Sequence, residues 1–352
     1  MLRAICCALI AALASSAAIG ADPAADLAAD RSPVDVPVVG YSAQGMFAVV
    51  AEGLTEVVRR EYPGSSFLYE PGNPAGGVVM IATGQRAFAI QTPTEIDAAI
   101  RGEAPFERAY PEEDFRPIAR IVEGFATHVY ARKAFLDQHN ITSLADIKAR
   151  KIPLRVSVNQ KGNLVAQGMA RKVLGHYGIS YEDIADWGGE VIYLPTRASH
   201  DLMRNGKLDV VITGGIAPNS QITELVSTTP IRLLEMPQGV IDAMVSDLGM
   251  EPYVIPQSAY PTLLDKDMPT AAAYFQITAG PAATDADAYK IVRALHRHFD
   301  YYRSLHPVLG AFAVDMLPKV GRFKLQPGAA AYYREIGLVH TPAQQAQAGQ
   351  RP

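Results

Sequence analysis

The residues best suited to chemistry stand in "SVNQKGNLVAQGM", Ser157 to Met169. A β-branched run ends here, a short Gly-bearing loop follows, and a helical pattern opens. Such a loop offers backbone N–H groups and a helix N-terminus to an anion. It is not a phosphate-binding P-loop: Lys161 precedes Gly162, and Asn163 stands where a metal-binding hydroxyl is needed. No G-x-G-x-x-G follows a strand, and no G-x-S-x-G elbow occurs. None of the eight histidines has metal-ligand spacing. His296 and His298, two apart on a helical pattern, face different ways. His128, alone in "GFATHVYARK", reads either as a crevice-facing donor or as a satisfied structural residue. Glu112, Glu113 and Asp114 form a solvated charge run rather than a carboxylate pair for glycoside hydrolysis. Asp209 reads as a turn cap before an acid or base. Lys161 reads either as a solvated surface charge or as a partner for an anionic ligand. No nucleophile–base pair emerges by spacing, so these residues are suited to holding an anion rather than transforming it.

Alternating β-branched runs and helical patterns must position them, the sign of an α/β protein. Strands are expected at "VPVVG", "SFLYE", "FAIQT", "IARIVEG", "LRVSVN", "VIYLP", "DVVIT", "IRLLEM" and "AAYFQITA". Helices are expected over "GMFAVVAEGLTEVVRREYPG", ended by Pro63-Gly64, and over "ITSLADIKAR", capped by Thr142 or Ser143. "DADAYKIVRALHRHFDYYRSL" reads as one long amphipathic helix. Trp187, Tyr332 and Tyr333 read as packing residues.

In open α/β sheets ligands bind outside the carboxyl ends of the strands. Five loops sit there: "GYSAQG" (40–45), "EPGNPAGG" (70–77), "QTPTE" (91–95), "VNQKGN" (158–163) and "TGGIAPN" (213–219). They supply N–H and hydroxyl donors with few formal charges, which suits a small polar anion. The candidate ligand residues are Tyr41, Ser42 and Gln44; Asn73, Gly76 and Gly77; Gln91 and Thr92; Asn159, Lys161, Gly162 and Asn163; and Thr213, Gly214, Gly215 and Pro218.

The chain has 352 residues and a net charge of −4. No Lys/Arg block appears, which argues against nucleic acid as a partner. Arg3 and the apolar run Ala4 to Ala21 have the pattern of a secretory signal peptide, residues 1–20, cut near Ala18 to Ala21. Cys6 and Cys7, the only cysteines, lie inside it, so the exported chain has no disulfide or zinc-thiolate chemistry. Residues 21–35 read as a flexible leader and 341–352 as a disordered tail. The remainder, about 300 residues, suffices for two domains.

From about Val36 to Leu338 the chain resembles the TAXI solute receptors of tripartite ATP-independent periplasmic (TRAP) transporters. "LQPGAAAYYREIGL" is similar to that family's terminal signature, and "RNGKLDVVITGGIAPNSQITEL" to its Gly-Lys-x-Asp…Pro-Asn…Glu-Leu segment. "STTPIRLLEM", "AYPTLLDKDMPTAAAY" and "HVYARKAF…ITSLADIKARKIPLRVSV" follow in the family's order. The resemblance implies a periplasmic, monomeric receptor without enzymatic activity or cofactor. Its fold would be a two-lobe α/β solute-binding protein (type II-like), each lobe a mainly parallel sheet flanked by helices. Residues 36–126 and 254–340 would form one lobe and 127–253 the other, with crossovers near Glu123 to Ala131 and Met250 to Gln257. A glutamate-like amino acid, 2-oxoglutarate or another small carboxylate would bind between them and pass to a membrane permease. His128 matches a family position facing the cleft. The ligand loops depart from the family: its Ser-x-x-Asn side chains are missing around Asn73, Pro74 and Gly77, its Ser-Gly-Thr becomes Asn163, Leu164 and Val165, and its Gln-Ser-Asp becomes Gln91, Thr92 and Pro93. A divergent receptor of this kind would also suit a signalling partner, and an enzyme on the same two-lobe scaffold is the further alternative, with His128 and Asp209 as its only candidate bases.

Overall fold

Two long strands run through both halves of the molecule, and the other elements are arranged about them. The computed structural model describes residues 23–41, 43 and 46–339. The expected signal segment, the 341–352 tail, Ser42 and Gln44 lie outside the described residues. The strands are β1 (Val38–Val39), β2 (Tyr69–Glu70), β3 (Phe88–Gln91), β4 (Arg116–Arg132), β5 (Arg155–Ser157), β6 (Glu190–Ile192), β7 (Val210–Ile216), β8 (Ile231–Leu233), β9 (Glu251–Ile255) and β10 (Met268–Ala279). They form one mixed sheet in the order β2-β1-β3-β10-β4-β7-β5-β6, with β8 on β4 and β9 on β10. Strands β1 to β3 run parallel in one lobe, and β5 to β7 in the other. The long strands β4 and β10 lie antiparallel to each other and link the lobes.

Each lobe has its own apolar interior. In the first, Leu54, Phe88, Ile121, Phe275, Leu295 and Tyr333 belong to one buried cluster. Val39, Ile81, Ile96 and Phe115 fill the other side of that lobe's sheet. In the second lobe Leu154, Met169, Ile212 and Met244 pack on one face and Tyr130, Met203 and Leu225 on the other. Helix Met46–Glu61 buries Val50, Ala51, Leu54, Val57 and Val58, the stripe its 3.6-residue period predicts. Helix Leu144–Arg150 is capped by Ser143, whose hydroxyl accepts from Ala145 N at 3.3 Å, while Asp146 completes a capping box.

Two expectations are corrected. The 21–35 leader is not irregular throughout: Pro23–Ala29 is helical, and Arg293 Nη1 donates to Ala28 O at 3.0 Å, so this segment is packed onto the first lobe. The long helix after Thr284 is two helices, Asp285–Arg297 and Phe299–Ser304, divided at His298. Apolar periodicity continues across the break, which is why the sequence reads as one helix.

Candidate functional site

The five loops meet where the carboxyl ends of the strands face each other across the lobes. In the first lobe, Gly72 N donates to Tyr41 O and Asn73 N to Gly40 O, both at 3.1 Å. These bonds bind the first loop to the second. Gln91 Nε2 reaches Gly76 O at 3.4 Å and ties in the third. Gly76 and Gly77 hold φ of +66° and +81°, a left-handed path that glycine follows at little cost. In the second lobe, Asn159 Nδ2 donates to Thr213 Oγ1 at 3.0 Å, and Thr196 and Thr213 hydroxyls lie 3.2 Å apart. Asn163 Nδ2 donates to Asn159 Oδ1 at 3.2 Å, and Asn163 Oδ1 caps helix Leu164–His176 through Ala166 N at 3.2 Å. The fourth and fifth loops are therefore one hydrogen-bonded unit.

Tyr41 joins the two halves. Gln160 Nε2 donates to its hydroxyl at 2.7 Å, and that hydroxyl lies 3.4 Å from Lys161 O. On the same seam Thr94 Oγ1 donates to Leu248 O at 2.8 Å. Burial first, and the Glu95 carboxylate as well, raise the Tyr41 phenol above its ordinary pKa, against the Gln160 bond. Glu95 is thus an electrostatic neighbour of this contact. Its own carboxyl is pushed up by burial, with its hydrogen bonds to Thr92 opposing. A row of rings extends from the seam: Tyr41 lies 6.4 Å from Phe47, Phe47 stacks on Phe275 at 4.5 Å, and Phe125 lies 5.2 Å from Phe275.

The remaining candidates divide. The Thr92 hydroxyl donates to Glu95 within a capping box and is committed to helix Pro93–Arg101. His128 is fully buried: Nδ1 lies 2.9 Å from Ala126 O and Nε2 3.0 Å from Tyr260 OH. Asn219 N in turn donates to Tyr260 OH at 2.9 Å, so His128 braces the fifth loop from behind. Gly214 backs onto the Phe125 ring and Gly215 onto Asn219. Pro218 is exposed and follows a cis peptide bond. Lys161 is exposed, its ammonium 5.3 Å from the centre of the Tyr193 ring.

That placement lowers the expected weight of Lys161. A rim charge in water acts on association rate and salt dependence more than on affinity. Lys161→Ala is expected to weaken ligand binding by less than about fivefold, since exposed charge–dipole effects amount to ~0.3–1 kcal/mol. Calorimetry with the best carboxylate ligand checks this, and a loss of twentyfold or more would return the ammonium to the ligand.

Asp209, the other acid weighed, is buried at 1 % exposure between two arginines. Its Oδ1 accepts from Arg132 Nη2 at 2.8 Å and Arg155 Nη2 at 2.6 Å, and its Oδ2 from Arg155 Nε at 2.8 Å. Both oxygens are occupied, which leaves it unsuited to proton transfer. It clamps β4, β5 and β7 together. Asp209→Ala is expected to lower stability by about 2 kcal/mol, because bonds to charged groups contribute ~1.5–3 kcal/mol but both guanidinium groups can return to water. Urea unfolding measures it, and a change under 0.5 kcal/mol would refute the clamp.

Reading the sequence missed several residues here. Gln160 stood between two candidates, Phe47 and Phe125 looked like ordinary core residues, and Thr196 opens a helix outside the five loops. Gln276 left one signal, a glutamine inside the apolar run "AAYFQITA". Among the described residues no group of three or more His, Cys, Asp or Glu could hold a metal ion, and no helix is long and apolar enough to cross a membrane.

The fold is that of periplasmic solute-binding proteins. MatC from Rhodopseudomonas palustris, solved with bound malate, superposes with a TM-score of 0.51 at 15% identity, covering 87% of this chain and 99% of MatC. The periplasmic binding protein BugD superposes with a TM-score of 0.50 at 14% identity, over 91% of this chain and 97% of BugD. None of the curated proteins matches the sequence. Residues 44–337, which include the second to fifth loops and both long strands, match the NMT1-like family, and the chain belongs to that family.

Proposed function

We propose that this protein is a periplasmic receptor that captures a small organic anion between its lobes and delivers it unchanged to a TRAP-type membrane permease. The ligand would be an amino acid, dicarboxylate or oxo-acid. The observation that carries the reading is the meeting of loops from both lobes through Tyr41 and Gln160, on a framework of neutral donors. Malate in MatC and the motif order shared with TAXI receptors support the ligand class and the transporter. In this reading the lobes are residues 36–126 with 254–340, and 127–253. They hinge near Glu123 to Ala131, within β4, and near Met250 to Gln257, along β9, which pairs with β10. Residues 1–20 would be removed on export.

The test is a thermal-shift screen of malate, succinate, glutamate, aspartate and 2-oxoglutarate on the exported protein. A ligand bound only by the folded state adds ~2.7 kcal/mol at 100 times Kd, so at least one should raise the melting temperature clearly. Small-angle scattering should then show a smaller radius of gyration with that ligand. No shift with any carboxylate, or a ligand recovered in altered form, would overturn the proposal.

A further inference from the structure

Gln91 and Gln276 face each other across the β3–β10 pair, directly in register. Both are buried, at 1 % and 0 % exposure. Directly opposed residues of an antiparallel pair hold their Cβ atoms about 5 Å apart on one face of the sheet. Each side-chain amide has a partner for its nitrogen: Gln91 Nε2 lies 3.4 Å from Gly76 O, and Gln276 Nε2 3.3 Å from Thr278 Oγ1. Gly76 O can only accept, so the Gln91 NH2 must face it and the carbonyl must face away. Both carbonyl oxygens, Gln91 Oε1 and Gln276 Oε1, are buried without a hydrogen-bond partner among the described residues. A buried acceptor left unpaired costs about 1–3 kcal/mol, and two side by side are a poor choice for a core.

Their position explains them better than packing does. Gln91 ends β3, beside the Gly-rich second loop and one residue before Thr92. Four residues further on, the Glu95 carboxyl is buried near the Tyr41 seam. The nearest cation along the sheet, Arg120, is opposite Gln276 on β4 but is committed: it bonds Glu251 at 2.6 and 2.9 Å, Glu123 at 3.0 Å and Lys319 O at 2.7 Å. The first-lobe side of the site thus holds two unpaired carbonyl acceptors beside its loop donors, while the second-lobe loops hold N–H groups, amides and Lys161.

We infer that Gln91 and Gln276 are specificity-determining residues that accept hydrogen bonds from a donor on the ligand. This rests on the receptor reading above. A carboxylate meets the donor loops of the second lobe, and a hydroxyl, amide or ammonium group elsewhere on the same molecule meets the two carbonyls. A plain dianion leaves them unpaired, and a site built to bond an OH or NH group discriminates strongly against the analogue that lacks it.

Succinate, malate and aspartate test this, since they differ at one carbon by hydrogen, hydroxyl and ammonium. Calorimetry on the exported protein should show malate or aspartate binding at least tenfold tighter than succinate. Gln276→Leu keeps the side-chain volume and should bring that ratio within about threefold while succinate affinity stays within threefold. Gln91→Met provides the same test if Gln276→Leu does not fold. Equal affinity of all three in the wild type overturns the inference and leaves the receptor reading standing. So does a tenfold ratio that survives both substitutions, which would assign the carbonyls to internal water. If no carboxylate of the wider screen binds, the receptor reading fails and this inference fails with it.

Discussion

Gly328→Ala is expected to cost ~3 kcal/mol or more of folding stability, a large part of the 5–15 kcal/mol typical of a domain. Gly328 is the second residue of helix Pro327–Glu335, which packs against helix Asp285–Arg297. A Cβ built there would lie 1.9 Å from Asp285 O and 2.6 Å from Asp285 C. The obstacle is backbone, so no rotamer change relieves it. The surrounding bonds make a shift of the helix expensive. Gln326 Oε1 accepts from Gly328 N at 2.6 Å and Ala329 N at 3.2 Å, Gln326 Nε2 donates to Asp285 Oδ1 at 2.7 Å, and Tyr333 OH donates to Ile118 O at 3.0 Å. Gly175→Ala is the control, because it lies in helix Leu164–His176 with nothing within 4 Å of the added methyl. That substitution should stabilise by ~0.4–1 kcal/mol. Urea unfolding of both variants checks the contrast, and a Gly328→Ala protein within 1 kcal/mol of wild type would show that the two helices are not locked.

Stability should also fall steeply as pH drops from about 6.5 towards 4. Burial lowers the pKa of His128 to about 4, against the Ala126 O hydrogen bond, and burial with the nearby Arg204 charge lowers that of His200 to about 4. His200 is buried against Tyr130, whose hydroxyl lies 2.5 Å from Nε2. In the unfolded chain both imidazoles titrate near 6.5. Between the two values the unfolded state binds more protons, so acid favours it. A tenfold difference in proton affinity between the two states corresponds to ~1.4 kcal/mol, which makes the loss by pH 4 on the order of 3 kcal/mol per histidine. The double variant His128→Asn with His200→Asn will be less stable at neutral pH, since two tyrosine hydroxyls lose a partner. Its stability should nevertheless vary much less between pH 6.5 and 4. Denaturant unfolding across that range reads the slope directly, and an undiminished slope in the double variant would exclude these histidines as its source.

The α/β class and the positions of most strands and of the helix at Met46 were legible in the sequence, because apolar spacing and Gly/Pro punctuation are local quantities. The two-lobe arrangement was legible only through the resemblance to a receptor family, since spacing by itself gives the alternation of strands and helices and not how the sheet is divided. The five loops were legible from spacing, because a loop after a strand is recognisable wherever the strand is. The helix break at His298 was not, since the periodicity of "DADAYKIVRALHRHFDYYRSL" does not change there. The helix at Pro23–Ala29 was hidden by a composition typical of linkers, and only its packing against the first lobe gives it a reason to form.

What each side chain does inside the loops was decided by the tertiary structure. Lys161, Thr92, His128 and Asp209 are all polar residues at plausible places, and nothing local separates them. The fold commits Thr92 to a helix cap, encloses His128 between Ala126 O and Tyr260, locks Asp209 between Arg132 and Arg155, and leaves Lys161 in water over Tyr193. Tyr41 meets Gln160 across 119 residues of chain, and Gln91 meets Gln276 through the register of β3 and β10. Type and spacing along a chain determine which groups could bind a small anion. Desolvation and hydrogen-bond partners determine which remain free to do so, and both are set by residues far away in sequence that only the folded sheet brings within reach.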